Sequence, residues 1–261
     1  MATTKETQIL DALDKCLVKY GHQLGPRETA LCQRVYTPPL QRYTDRLKAI
    51  QYTGMERVLD ACSGFGQWTL ALADLNQHVD ACDISPDRMA IVDMLGELSG
   101  ANNIDVKTCK LEALAYDDNT FDAAFCYVSL PCTPWKESLK ELYRVLKPGG
   151  KVYFTANGLG YHVHMWVDEP HKTVHRSPRY FTALSLKNTL EYEEHGKAPE
   201  QGQIVVEKDE MRDCLHENGF RILALEDEGC IDMTNGKNPP ESFFPGEYNG
   251  LTCCYEVLAE K

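Results

Sequence analysis

Val58-Leu59-Asp60-Ala61-Cys62-Ser63-Gly64-Phe65-Gly66 is a short, mostly apolar run that ends in a glycine turn, and helical spacing begins at Gln67. Its length and composition read as a buried strand passing straight into a helix. Glycine in such a turn removes the Cβ atoms that would hold a ligand away from the backbone, so a bulky group is expected to lie across it. A glycine pair alone also marks tight strand-to-helix connections that bind nothing, and the residues downstream have to discriminate.

Working outward, short apolar runs alternate with longer amphipathic segments. Strands are predicted at 57–61, 78–83, 105–110, 121–128 and 151–155, and helices at 67–75, 86–99 and 135–145, with Gly149 and Gly150 punctuating the last helix. That alternation is the pattern of βαβ units on a parallel sheet. A helix over 208–218, stopped by Gly219, and strands at 221–226 and 252–258 would close the sheet with a final hairpin. The expected fold is α/β: a seven-stranded, doubly wound, Rossmann-like sheet spanning 57–261.

Two segments stand outside this rhythm. Ile9, Leu10, Leu13, Leu17 and Tyr20 lie near helical spacing, and Pro38-Pro39 interrupts the chain before 40–50 resumes it, so 1–56 reads as an N-terminal helical lid. Residues 157–203 carry aromatics, histidines and a helix over 180–194, too long and structured for a simple connection, and read as an inserted cap.

Composition narrows the classes of function. The 261 residues carry a formal net charge of -12, which disfavours a partner held through many phosphates, so nucleic acid is not expected. The 11 cysteines form no CxxC pair, and Cys62, Cys82, Cys109 and Cys126 sit singly in apolar runs, as reduced core residues do. No apolar run approaches the ~20 residues that span a bilayer. The first fifteen residues are polar and acid-bearing, unlike a signal or transit peptide, so no membrane partner and a cytoplasmic location are expected.

Asp83 ends the second predicted strand in Val79-Asp80-Ala81-Cys82-Asp83-Ile84-Ser85, where a carboxylate can accept two hydrogen bonds from a ribose diol. That geometry suits any adenosine cofactor. NAD is disfavoured because Thr69 stands where the dinucleotide fingerprint has a third small residue.

With these motifs the chain resembles the class I S-adenosylmethionine-dependent methyltransferases, in particular the small-molecule group that includes the ubiquinone and menaquinone methyltransferases. The likeness covers roughly 57–155. It rests on the glycine loop, Asp83-Ile84-Ser85, the run from Glu112 to Asp122, and Glu141-Leu142-Tyr143-Arg144-Val145-Leu146-Lys147-Pro148-Gly149-Gly150. Cys62 departs from the pattern where that group usually has its first glycine, and Lys110 stands where many members carry an acid. The resemblance implies S-adenosylmethionine as cofactor. Asp60 would orient its methionine amino end, Cys62, Gly64 and Gly66 would form the loop beneath it, and Asp83 would bind the ribose. Leu111 and Glu112 would hold the adenine, Ile84 and Met89 would flank it, and Tyr127 would lie beside the sulfonium. Each has a plainer alternative: Asp60 as a loop cap, Glu112 as a solvated acid, Met89 and Tyr127 as core.

For the acceptor, Tyr161-His162-Val163-His164-Met165-Trp166 follows the fifth strand at the sheet edge where ligands bind in open α/β folds. His162 and His164 are the candidate general bases, with a histidine packed on the cap's apolar face as the alternative. On a strand their spacing would also suit a metal, but no third ligand accompanies them, and no metal is expected. The expected reaction is methyl transfer to a small-molecule acceptor at oxygen or nitrogen. Two other readings stay open. Pro131-Cys132 matches the nucleophile pair of cytosine-5 methyltransferases of nucleic acids, and Cys62 could mark the decayed loop of a non-catalytic binding protein.

Overall fold

The computed structural model describes residues 4–261, and the chain forms two compact units. One comprises residues up to 110 together with 232–240, the other 111–231 with 241–261. Among the described residues, seven strands make one mixed sheet, ordered β3-β2-β1 in the first unit and β4-β5-β9-β6 in the second. This is the expected α/β, Rossmann-like fold.

The first unit runs α1 (Thr4–Tyr20), α2 (Pro26–Val35), α3 (Leu40–Ala49), β1 (Val58–Ala61), α4 (Gln67–Leu75), β2 (Val79–Asp83), α5 (Pro86–Ser99) and β3 (Ile104–Thr108). All residues of β1 and β2 are buried, as parallel strands covered on both faces must be, and they pair in register with Asp60 beside Ala81 and Asp83 beside Thr108. The bounds of α5 follow from its caps. Ser85 Oγ accepts from Arg88 N, Pro86 fills the first turn, and Gly100 at φ 79° ends the helix. α1 is held by its apolar stripe: Ile9, Ala12, Leu13 and Cys16 are buried against Phe65, Leu70, Ile91 and Leu95.

The second unit runs β4 (Phe121–Cys126), α6 (Trp135–Val145), β5 (Leu146–Asn157), α7 (Leu159–Val167), α8 (Pro178–His195), α9 (Lys208–Glu217), β6 (Arg221–Asp227), β7 (Glu247–Tyr248), β8 (Leu251–Thr252) and β9 (Cys254–Glu260). β4 and β5 are parallel, and β9 lies antiparallel between β5 and β6. Gly149 and Gly150 do not cap α6, which ends at Val145. They lie inside β5, where Gly149 N bonds the carbonyl of Lys261 and a Cβ on Gly150 would sit 2.8 Å from the carbonyl oxygen of Lys147. The segment after β5 is helical, not extended. No described helix is long and apolar enough to cross a membrane, and all 11 cysteines are free, seven of them buried.

Leu13 is 5% exposed at the centre of the α1 contact, so Leu13→Ala is expected to cost about 2–5 kcal/mol through lost burial and a residual cavity. Urea unfolding checks it, with an unchanged slope and a lowered midpoint expected.

Candidate cofactor and active site

The turn after β1 reverses the chain with three positive φ angles in five residues: Cys62 at 59°, Gly64 at 59° and Gly66 at 82°. Cys62 therefore adopts the left-handed conformation that a glycine would take without strain, which explains the residue type expected there. The loop is pinned to β2: Ser63 N bonds the Cys82 carbonyl at 2.9 Å, and Gly64 N bonds Asp83 Oδ2 at 3.1 Å. Its two glycines serve different ends. A Cβ on Gly64 would meet nothing within 4 Å, whereas one on Gly66 would lie 3.0 Å from Val92 Cγ2. Gly64 thus faces open space that a ligand can fill, and Gly66 lets α4 approach α5.

Two buried acids flank the loop. Asp83, 4% exposed, also accepts from Ser85 N at 2.9 Å, and Arg88 Nη1 stands 3.6 Å from its carboxylate. Each carboxylate oxygen retains a lone pair for a further donor. Asp60, 2% exposed, accepts from Thr69 Oγ1 at 2.6 Å. Burial pushes its carboxyl up to about 7; the Thr69 hydrogen bond opposes that rise and the charge of Asp83 adds to it. Ser63 Oγ is buried with no hydrogen-bond partner.

The sequence reading missed the residues that tie the N-terminal helices to this loop. Arg88 pairs with Glu28 of α2 at 2.7 Å and lies over the Phe65 ring at 5.3 Å, and Tyr36 Oη donates to the Phe65 carbonyl at 2.7 Å. Arg88 was discoverable as the residue one turn past the Ser85 cap. Tyr36 follows α2 without a motif and was not.

The remaining expected contacts differ in setting. Ile84 is 63% exposed, while Met89 is 3% exposed and packed with Ala81 and Val92. In the second unit Leu111 is buried and Glu112 half-buried. Tyr127 stacks on Phe125 at 6.2 Å and donates its hydroxyl to Glu228 at 2.7 Å. Glu228, also unforeseen, is 1% exposed and receives the backbone N–H groups of Phe243 and Phe244 at 2.8 and 3.1 Å. Cys132 is exposed at the end of a short 3₁₀ turn.

His162 and His164 lie on α7, about 200° apart around the helix, so the strand-type spacing considered for a metal does not exist. His162 is fully buried, with neither ring nitrogen hydrogen-bonded, and its ring stacks on Phe181 at 6.1 Å; burial lowers it to about 4, so it is neutral at pH 7. His164 Nδ1 instead meets Asp168 Oδ2 at 2.9 Å. Among the described residues one cluster has metal-ligand spacing, His78 with Asp80 and Asp105. The Arg57 guanidinium already holds Asp80 by two hydrogen bonds of 2.7 and 2.9 Å, supplying the positive charge there.

Residues 58–150, which contain the loop and both acids, match the family model described as a methyltransferase domain. The chain is an S-adenosylmethionine-dependent methyltransferase. It is 28% identical over 192 residues to the demethylmenaquinone methyltransferase of Shouchella clausii, an alignment covering 70% of this chain and 77% of that one. Several other curated relatives are matched over less than half of their own length. Two solved structures share the fold. The [4+2]-cyclase SpnF has a TM-score of 0.56 at 20% identity, covering 84% of this chain and 80% of that one. A SAM-dependent methyltransferase from Aquifex aeolicus has 0.52 at 16%, covering 84% and 88%. S-adenosylmethionine is the cofactor of the methyltransferase. The residues present fit it, since Gly64 leaves open space beside the loop backbone and a strand-end carboxylate stands next to it.

The two glycines of this methyltransferase should separate on substitution. Gly66→Ala adds the Val92 clash to a left-handed backbone and should cost more than 2 kcal/mol of stability, whereas Gly64→Ala should cost about 1–2 kcal/mol and lower cofactor affinity at least tenfold. Thermal unfolding with calorimetric titration checks both. For His162 the folded value lies below the ordinary one of about 6.5, so unfolding takes up a proton between them. Stability is whole above pH 6.5 and falls by up to about 3 kcal/mol as pH drops to 4. His162→Phe should flatten that slice of the melting-temperature profile.

Proposed function

We propose that this chain transfers a methyl group from S-adenosylmethionine to a small-molecule acceptor through an oxygen or nitrogen atom. The observation that carries the reading is the loop itself, a backbone opened at Gly64 and pinned by an acid that keeps lone pairs for a diol. The demethylmenaquinone methyltransferase relative supports a small acceptor, and the net charge of -12 argues against a polyanionic one.

In this reading Asp83 binds the ribose, Asp60 the methionine ammonium, and Cys62, Gly64 and Gly66 shape the floor. Ile84, Met89, Leu111 and Glu112 are the proposed adenine contacts and Tyr127 the proposed neighbour of the sulfonium. Bound S-adenosylmethionine supplies an already activated methyl group, so the protein's work is to position the acceptor in line and keep water out. His162 and His164 of α7 are the proposed proton acceptors, His162 with both ring nitrogens unbonded and His164 with Nδ1 against Asp168 at 2.9 Å. Residues 1–56 are the proposed lid, a fixed one because α1 shares a core with Phe65, and 157–203 the proposed cap.

Calorimetric titration in buffers of differing ionisation enthalpy tests the Asp60 assignment. With the free carboxyl near 7, an ammonium beside it favours the ionised form, so binding should release up to one proton below pH 7 and tighten as pH rises through 7. Asp60→Asn should abolish that dependence, and Asp83→Ala should weaken binding at least tenfold at every pH. Proton-neutral binding by the wild type removes Asp60 from the methionine end.

A further inference from the structure

A cavity of about 310 Å³ in the first unit is walled by α1, by the segment that joins α2 to α3, and by Gln67, the first residue after the glycine loop. Ile9, Leu10, Pro39 and Leu40 give it an apolar lining. Tyr36 and Tyr43 face it, and both hydroxyl protons are committed to backbone carbonyls, of Phe65 at 2.7 Å and Val35 at 2.6 Å. The Thr37 hydroxyl proton is likewise committed to the Gln33 carbonyl at 3.2 Å. Among the described residues Glu6 is the one charged residue of its lining, so an anion is disfavoured. An acceptor in this wall without a hydrogen-bond partner is the buried Oε1 of Gln67. The terminal torsion of glutamine is broad, and turning it presents that oxygen to the cavity.

We propose that this cavity seats the methyl acceptor, and that the acceptor is an uncharged, predominantly apolar molecule whose hydroxyl or N–H is received by Gln67. The proposal rests on the methyltransferase reading above and names the substrate class of that site. The cofactor's own zwitterionic end is a poor occupant: its carboxylate would be desolvated against proline and leucine beside Glu6, with no cation among the described residues of the wall. The size suits a compact ring system, and the position against the glycine loop suits a molecule that must meet the methyl group. Tyr36 makes the seat and the loop one construction, since the same side chain lines the cavity and bonds the loop carbonyl.

Three probes of one shape test the class in the full-length protein: 1-naphthol, naphthalene and 1-naphthoate, titrated by ligand-observed NMR with and without saturating S-adenosylhomocysteine. Naphthol should bind in the presence of S-adenosylhomocysteine and at least tenfold tighter than naphthoate. Leu10→Trp fills the cavity from a side chain already 43% exposed, and should lower naphthol affinity at least tenfold with S-adenosylhomocysteine affinity held within twofold. Gln67→Leu should bring naphthol down to the affinity of naphthalene, and keeps the test open should Leu10→Trp unfold. Competition between naphthol and S-adenosylhomocysteine, preference for naphthoate, or naphthol affinity indifferent to both variants overturns the seat. Failure of the wild type to bind S-adenosylhomocysteine or S-adenosylmethionine at all overturns the underlying methyltransferase reading, and the acceptor assignment with it.

Discussion

The hydrogen bond from Gly64 N to the Asp83 carboxylate is the constraint on which the first unit turns. A reversal containing three left-handed residues is locally unfavourable, and Cys62, which has a Cβ, makes it more so. The conformation is kept because its donors have fixed acceptors: Ser63 on the Cys82 carbonyl, Gly64 on Asp83, Gly66 on the Ser63 carbonyl. Those acceptors are placed by the register of β1 against β2. Sheet pairing thus holds the strained turn, and the turn in turn aims α4 and exposes the floor that a ligand needs.

Buried charge in this protein is handled in two ways. Glu228 and Glu256 in the second unit each receive three donors, the latter Cys230 N, Ile231 N and the Tyr153 hydroxyl, and carboxylates held so fix loops. Asp60 has one side-chain donor and a carboxyl near 7, so its ionisation at neutral pH is costly until a cation arrives. Unequal satisfaction separates structural acids from those poised for a ligand, and none of it is visible in residue type.

Where local chemistry decides the outcome, the sequence was sufficient. α4 begins, and α5 begins and ends, at the expected residues because Gly66, Ser85-Pro86 and Gly100 act within one turn of themselves. β5 starts five residues earlier than expected, since Pro148-Gly149-Gly150 reads as a break and is drawn into the strand by pairing of its neighbours with β4 and the chain terminus. The helical state of 159–167 and the burial of His162 are tertiary outcomes, because its run of aromatics and histidines has no decisive period. In the candidate site Asp83, Gly64 and Gly66 were legible as a motif. Tyr36, Gln67 and Glu228 were not, because each acts through a contact distant in sequence or through an atom left unsatisfied.

The burial of α1 against Phe65, Leu70, Ile91 and Leu95 means that the N-terminal helix and the glycine loop share one hydrophobic core. They therefore form a single cooperative element: α1 cannot detach as a hinged flap without exposing Phe65, a residue of the loop itself. Altering substrate scope by exchanging the whole N-terminal segment would disturb the cofactor loop at the same time. Diversification of such a protein is channelled to the few side chains at the open rim, such as Leu10 and Pro39, which can vary while the shared core stays intact.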